Sequence, residues 1–404
     1  MTSDERREAR YQRRKAKRAE NLEKRRALVG SADDVFAFHI MYKEGKKCCN
    51  GVRWKQSVQN FELHLFSRTA KNRKKVMTGN YKPVKCVQFI LVERGIPRNI
   101  EAPHINDRQV QKVLTQDVLF TLYEPGMIRA NGASMKNKGL ADSQMVLKKQ
   151  LQKHFKRYGF SGWVILSDMH HFFPSGDHEI IKATHEKFIA DPTVRGVADT
   201  VTEANGKDVG EPIGIEPSQS EMVYLPTPLD KHMTCQEHLQ GHGHYMDDFC
   251  MLVPPDRDPK EVLDIFISYT KKLKLIVNEK KTHIIPFGKP FRYCKAKYII
   301  KPTGKVIIKG SRESLPRARR KLNAMPERIA AGEATYEDVR MTYNSTHAYY
   351  DRYDDHEKML KLNRMVYAIY GFEPTLENFR RADDKLHNRP ALEDKSAGRK
   401  KTYI

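Results

Sequence analysis

The chain has 404 residues, with 73 Lys and Arg against 50 Asp and Glu, and a formal charge of +23 at pH 7. That balance asks for a polyanionic partner, nucleic acid before any other, while 17 Phe and 18 Tyr are too many for a disordered chain. No apolar run approaches the roughly 18–20 residues of a membrane span. Residues 1–18 lack the apolar segment of a secretory signal, and the six Cys show no CxxC pair. The expectation is therefore two or three packed units in a reducing cytoplasm, with no membrane partner.

Residues 5–28 are helix-permissive, densely basic and poor in apolar residues. Such a segment is expected to be a solvated helix or an arm lying on phosphates. From Asp33 the pattern becomes globular, with VFAFHIMY at 35–42 and FELHLF at 61–66. Residues 87–100 alternate like a strand, turn at Gly95, Ile96 and Pro97, and resume. GWVILSD at 162–168 has the form of a buried strand, and HYMDDFCMLV at 244–253 that of a hairpin with an acidic pair between apolar arms. Residues 258–276 read as a helix: Asp258 caps, Pro259 takes the first helical position, and Glu261 completes a capping box. Val262, Phe266, Tyr269 and Leu273 form its apolar stripe. A short strand at 273–278 and a turn follow, and after Gly310 come two or three amphipathic basic helices broken at Gly332. The stretch from Arg389 is polar and expected to fray.

Four Asp-Asp pairs occur, at 33–34, 247–248, 354–355 and 383–384. Three sit among charged neighbours and read as solvated caps or turns. The pair Asp247 and Asp248 lies among Tyr245, Met246, Phe249, Met251 and Leu252. Adjacent carboxylates resist desolvation there unless a cation joins them, and oxygen-only ligation favours Mg2+. Asp168 closes the apolar strand upstream. If the two strands are neighbours, Asp168 and Asp247 face each other and would share two metal ions about 4 Å apart, the arrangement that joins nucleotides.

Six sequence elements in order then resemble those of the prokaryotic reverse transcriptases, close to the group II intron, diversity-generating retroelement and phage-defence enzymes. Tyr245, Met246, Asp247 and Asp248 match that family's YxDD. SDMHHFFPSGDHEII at 167–181 is similar to its first palm motif, and IGIEPSQ at 213–219 to its GxxxS element. VNEKKT at 277–282 resembles N-x-x-K-T, and FRYCKAKY at 291–298 stands where the primer grip belongs. RNIEAPHINDRQVQ at 98–111 resembles the fingers motif.

The resemblance implies an α+β right-hand polymerase. Its parts would be a basic extension at 1–30, fingers at 31–155, a ferredoxin-like palm with an antiparallel sheet at 156–308, a helical thumb at 309–388 and a polar tail at 389–404. No RNase H or endonuclease domain is expected. It implies an RNA-directed DNA polymerase, a nucleotidyltransferase using two Mg2+ ions. Its partners would be an RNA template, a cognate structured RNA among the candidates, a DNA primer or cDNA product, and dNTPs. The metal set would be Asp168, Asp247 and Asp248 with Met169 beside them. Lys281, with Lys280 competing for the role, would protonate departing pyrophosphate. Arg98, and less directly Arg94, would clamp the triphosphate. Phe173 would exclude a ribose 2′-hydroxyl while Phe172 packs inward, since adjacent strand residues point oppositely.

Ile213, Gly214, Ser218, Gln219 and Tyr245 would line the nucleotide and template site. Ile213 and Gln219 depart from the commoner QGxxxSP, a combination that resembles the diversity-generating and defence enzymes. His170, His171, His242 and His244 would line a phosphate-facing groove, and the basic helices at 5–28 and 312–325 would extend it. Tyr343, Tyr349 and Tyr350 read as helix core. Two rival readings are a template-independent DNA polymerase of phage defence and an RNA-binding scaffold without catalysis. An RNA-directed RNA polymerase is disfavoured by Phe173.

Overall fold

The computed structural model describes residues 2–93 and 95–387. The expectations for Arg94 and for the tail at 389–404 lie outside them. The chain divides into two compact units, one running to Gly288 and the other starting at Lys289. Residues 289–308, grouped above with the segment from 156, fall in the second unit.

Among its described residues the first unit contains seven strands: β1 (Val87–Glu93), β2 (Ile96–Ala102), β3 (Trp163–His170), β4 (Gly241–Tyr245), β5 (Asp248–Val253), β6 (Ile276–Val277) and β7 (His283–Pro286). β1 and β2 pair only with each other, in an antiparallel hairpin. Pro97 lies inside β2 rather than in the turn. The other five form an antiparallel sheet in the order β4-β5-β3, with β6 and β7 both on the free edge of β3. Helices separate β3 from β4, and one helix separates β5 from β6. This βαββαβ succession, with the first strand central, is the ferredoxin-like arrangement, and the fold is α+β.

β3 is nearly continuous apolar sequence because both its neighbours and the packed helices cover it. Ile165, Met169, Phe249, Met251 and Val253 meet Met222, Leu225 and Leu229 from one side of the chain and Val262 and Phe266 from another. The helix Pro259–Lys272 carries the last two. Asp258 caps it through Lys260 N at 3.0 Å, but no reciprocal bond from Glu261 accompanies it, so the cap is simpler than a capping box. Val262, Phe266 and Leu273 are buried and Tyr269 partly so, as the stripe requires.

A second core cluster is built mostly from helices, with residues such as Val110, Leu119, Phe188 and Val201 and the turn residue Phe36. The basic helix Ser3–Arg26 buries none of its residues, in line with its composition. Its last turn is anchored nonetheless. Arg25 donates to the Leu122 carbonyl and stacks on Phe188 at 3.9 Å, and Arg26 donates to the Lys187 carbonyl at 2.8 Å.

The second unit begins with β8 (Phe291–Tyr293), β9 (Ala296–Ile300) and β10 (Val306–Lys309), an antiparallel meander. Cys294 and Lys295 both have positive φ, the pattern of a two-residue hairpin turn. Helices Ser314–Ala330, Tyr336–Asp351, His356–Tyr370 and Leu376–His387 follow and pack around Leu322, Val339, Leu362, Val366 and Phe379. Tyr343 and Tyr350 are buried in this unit, Tyr349 only partly. Of the pair at 354–355, Asp354 lies in an exposed turn as expected from its neighbours, but Asp355 does not. Asp355 is 3% exposed and accepts from Gly310 N and Lys358 Nζ, both at 2.8 Å.

Candidate catalytic carboxylate site

β3 and β5 run antiparallel with Asp168 opposite Asp248, and β5 pairs in turn with β4, where Tyr245 stands opposite Asp248. Met246 and Asp247 are the two residues of the β4–β5 turn. The Asp247 carbonyl accepts from Met169 N at 3.1 Å, so the turn is tied to β3 by its backbone as well as by the sheet. Three carboxylates from distant parts of the chain are thereby placed at one end of two adjacent strands. The hairpin and the buried strand needed for this are those expected from the sequence, although β3 continues past Asp168 to His170.

Asp168 is nearly buried and held by donors. Lys281 Nζ lies 3.0 Å from each of its oxygens, and Asn278 Nδ2 donates to Oδ1 at 3.1 Å. Asn278 N also donates to the Asp168 carbonyl at 2.8 Å. The hydrogen bonds to Asp168 hold the Lys281 ammonium above its ordinary range. Lys281 is reached through a 3-10 turn, Glu279–Lys281, which directs it at the sheet end; Lys280 is solvent-exposed. Burial pushes the Asp247 carboxyl up and outweighs the hydrogen bond from its own backbone N–H; the Asp168 charge adds to the rise, and Lys281 and Arg98 oppose it less.

Whether the site suits a metal is judged from the residues themselves. Among the described residues no group of three or more His, Cys, Asp or Glu side chains is disposed to hold a metal ion. Both Asp168 oxygens are engaged by Lys281. The donors nonetheless suit a hard divalent cation. They are carboxylate oxygens, and Asp247 carries the crowding of like charge and poor solvation that a cation relieves.

The remaining predicted residues separate into two groups. Arg98 lies on exposed β2, within electrostatic range of Asp247, and pairs with Glu93 at 3.4 Å. Phe172 is buried and Phe173 half-buried, both against the core that supports β3. They do not belong to the strand, because β3 ends at His170 and Phe173 starts a 3-10 turn. The difference between them comes from that turn and not from strand alternation. Tyr245 packs beside Ala133, Met135 and Val223.

Ile213 and Gly214 dock on β2. Glu101 N donates to the Ile213 carbonyl at 2.9 Å, and a Cβ at Gly214, which has φ 119°, would lie 2.6 Å from the Glu101 carbonyl. Glycine is required there on both counts. Ser218 is 2% exposed and sits near Glu211 inside the fold, away from any open surface. Gln219 donates to Ser134 Oγ at 2.7 Å.

Histidine placement departs from the sequence reading. His170 and His171 are exposed, but His242 and His244 are buried within β4 and cannot line a groove. Their Nε2 atoms lie 2.8 Å and 3.0 Å from the two oxygens of Asp230, itself fully buried. Burial alone would raise the Asp230 carboxyl, but the imidazoles, His244 foremost, bring it down to about 2. The GHGH pattern of β4 explains the geometry. Histidines two apart share one strand face, and glycines take the other, where a Cβ would meet Leu252 at Gly241 and Ala130 at Gly243.

A second buried network was not signalled by the sequence either, because its members are scattered. His185 Nδ1 lies 2.8 Å from Asp199 and its Nε2 3.3 Å from Glu221. Burial pushes His185 down, but the two carboxylates outweigh it and hold it up at about 9. Desolvation and the Glu221 charge drive the neighbouring Glu211 carboxyl well above its usual range.

No family model matches the chain, and no curated protein matches it. Among solved structures it is similar to the RNA-dependent RNA polymerase of a human picorbirnavirus, with 14% sequence identity and a TM-score of 0.47 over 75% of this chain. The match spans 60% of that polymerase chain. Among the described residues no helix is long and apolar enough to cross a membrane.

Proposed function

We propose that the protein is a template-directed nucleic-acid polymerase, and specifically an RNA-directed DNA polymerase of the prokaryotic reverse transcriptase kind. The observation that carries this is the register of β3 against β5. It sets Asp168 opposite Asp248, with Asp247 in the adjoining turn and Lys281 on Asp168. The ferredoxin-like sheet would be the palm, the β1–β2 hairpin part of the fingers, and the helices after Gly310 the thumb.

Asp168, Asp247 and Asp248, with the Met169 carbonyl beside them, would hold two Mg2+ ions. Bound divalent metal supplies charge neutralisation at the reacting phosphate and lowers the pKa of the attacking hydroxyl. The protein's own groups do the rest. Lys281, kept protonated by Asp168, would have a proton to give the leaving pyrophosphate. Arg98 grips phosphate oxygens from the hairpin side. Phe173, at the mouth of the β3 turn, closes the space where a 2′-hydroxyl would lie. The high positive charge holds the template and primer.

The test is extension of a DNA primer on an RNA template with Mg2+. The Asp247→Asn variant should lose at least on the order of 10²–10³-fold in rate while remaining folded. Full activity in that variant removes the metal assignment. In the same assay Phe173→Ala should admit ribonucleotides, and unchanged sugar selection removes the gate.

A further inference from the structure

We propose that Asp230 and His244 form a buried carboxylate–imidazolium brace that fixes the turn carrying Asp247 and Asp248, which makes both of them positioning residues for the catalytic carboxylates. The inference rests on the polymerase reading for its consequence in catalysis, though not for its geometry.

The turn needs holding. Met246 has φ 55° at the first of the two central residues, a conformation that hairpin turns ordinarily give to glycine. Both carbonyls of the turn are tied down. Met169 N donates to Asp247, and His244 Nδ1 lies 3.1 Å from the Met246 carbonyl. A carbonyl only accepts, so Nδ1 must carry hydrogen. Nε2 of the same ring faces the Asp230 carboxylate at 3.0 Å, and that nitrogen must carry hydrogen as well. His244 thus meets both acceptors only as the imidazolium.

Asp230 supplies the opposite charge inside a site with no exposure, and Phe249 stacks on the ring at 4.6 Å, which fixes its plane. The backbone of His244 is clamped too, since its N donates to the Ala130 carbonyl and its carbonyl accepts from Gly132 N. His242 contrasts with it. Its Nε2 also meets Asp230, but its buried Nδ1 has no partner, so it needs one hydrogen and holds no part of the turn. The two histidines look equivalent in sequence and differ in what they brace.

Glutamine separates them, because its amide replaces one imidazole donor but not two at opposite ends. His244→Gln should lower kcat for primer extension roughly 10- to 100-fold, the usual loss when a group orienting a metal ligand is removed. The nucleotide KM should stay within about twofold. His242→Gln should retain most of its activity. Equal losses in the two variants, or a His244→Gln loss confined to KM, overturn the brace.

A reading independent of catalysis comes from the full-length wild-type chain labelled with 15N-histidine, at pH 7. The His244 signals, identified by their loss in the variant, should show hydrogen on both ring nitrogens, and those of His242 on Nε2 alone. A bare nitrogen on His244 overturns the proposal even if the polymerase is active. A doubly protonated His244 in a wild-type protein unable to extend any primer instead leaves the brace standing and removes the polymerase reading.

Discussion

The end of the β3–β5 pair and the β1–β2 hairpin are both antiparallel, and both contribute to the proposed site, but they are built in opposite ways. At the sheet end nearly every polar group has a partner inside the fold. Asp168 has Lys281 and Asn278, the turn carbonyls have Met169 and His244, and Asp230 has two imidazoles. The hairpin has the reverse composition. Phe89, Ile90, Leu91, Val92 and Ile96 stand in solvent, and each is about half exposed or more. A catalytic constellation needs positions fixed by packing and hydrogen bonds. A hairpin with apolar side chains on an open surface has little holding it to the rest of the unit. Its tie to the site runs through Glu101 and Ile213 and through the charge of Arg98.

Substitutions in the two regions should therefore behave differently. The largest effect, after loss of the carboxylates themselves, is expected at Lys281. Lys281→Ala removes the positive charge on Asp168 and the proposed proton donor, and should lower kcat by roughly 10²-fold or more without lowering the melting temperature. A wild-type rate in that variant would leave Lys281 as an exposed ion pair and nothing else.

The next effect concerns the stability of the helices that hold the His185 network. His185 is raised to about 9 from an ordinary 6.5. A base with a raised folded pKa stabilises the fold fully below pH 6.5, and that contribution is lost as pH climbs through about 9. The raised Glu211 carboxyl acts in the same direction, because the folded state favours its protonated form. Thermal unfolding between pH 6.5 and 9 should show a falling melting temperature, worth on the order of a few kcal/mol. His185→Gln should flatten that dependence. A melting temperature that is level or rising over this range in the wild type would mean the network does not carry the charge assigned to it.

The smallest effect is expected on the hairpin. Replacing Ile90 and Val92 by Ser should change unfolding free energy by no more than about 0.5 kcal/mol each, as for exposed positions generally. A much larger loss in chemical denaturation would show that the hairpin is packed in solution.

The sheet end was readable in sequence because its signals are local. An apolar run ends in Asp168, an acidic pair interrupts apolar arms at Asp247 and Asp248, and Asp258 with Pro259 opens the following helix. The strained backbone at Met246 had no such signal, since nothing in the residue type demands positive φ. At Asp230, His185, Asp199, Glu211 and Glu221 the partners lie 10 to 36 residues apart on different elements, and only the fold brings them together. His242 and His244 were misread for a related reason. A basic chain makes any histidine look like a phosphate contact, whereas the alternation with Gly241 and Gly243 in β4 already placed both on one face. The ammonium on Asp168 was half legible: Lys281 was singled out for its proton, but its occupation of the carboxylate was not foreseen.

The central claim of the proposal is that Asp168 would exchange its lysine for divalent metal held jointly with Asp247. Crystals soaked in Mn2+ with primer, template and a non-reacting nucleotide, measured at the manganese edge, test it most directly. The expected result is anomalous density between the Asp168 and Asp247 carboxylates, with Lys281 withdrawn from Asp168. Absence of density there, with Lys281 still on both Asp168 oxygens and nucleotide bound, would contradict it.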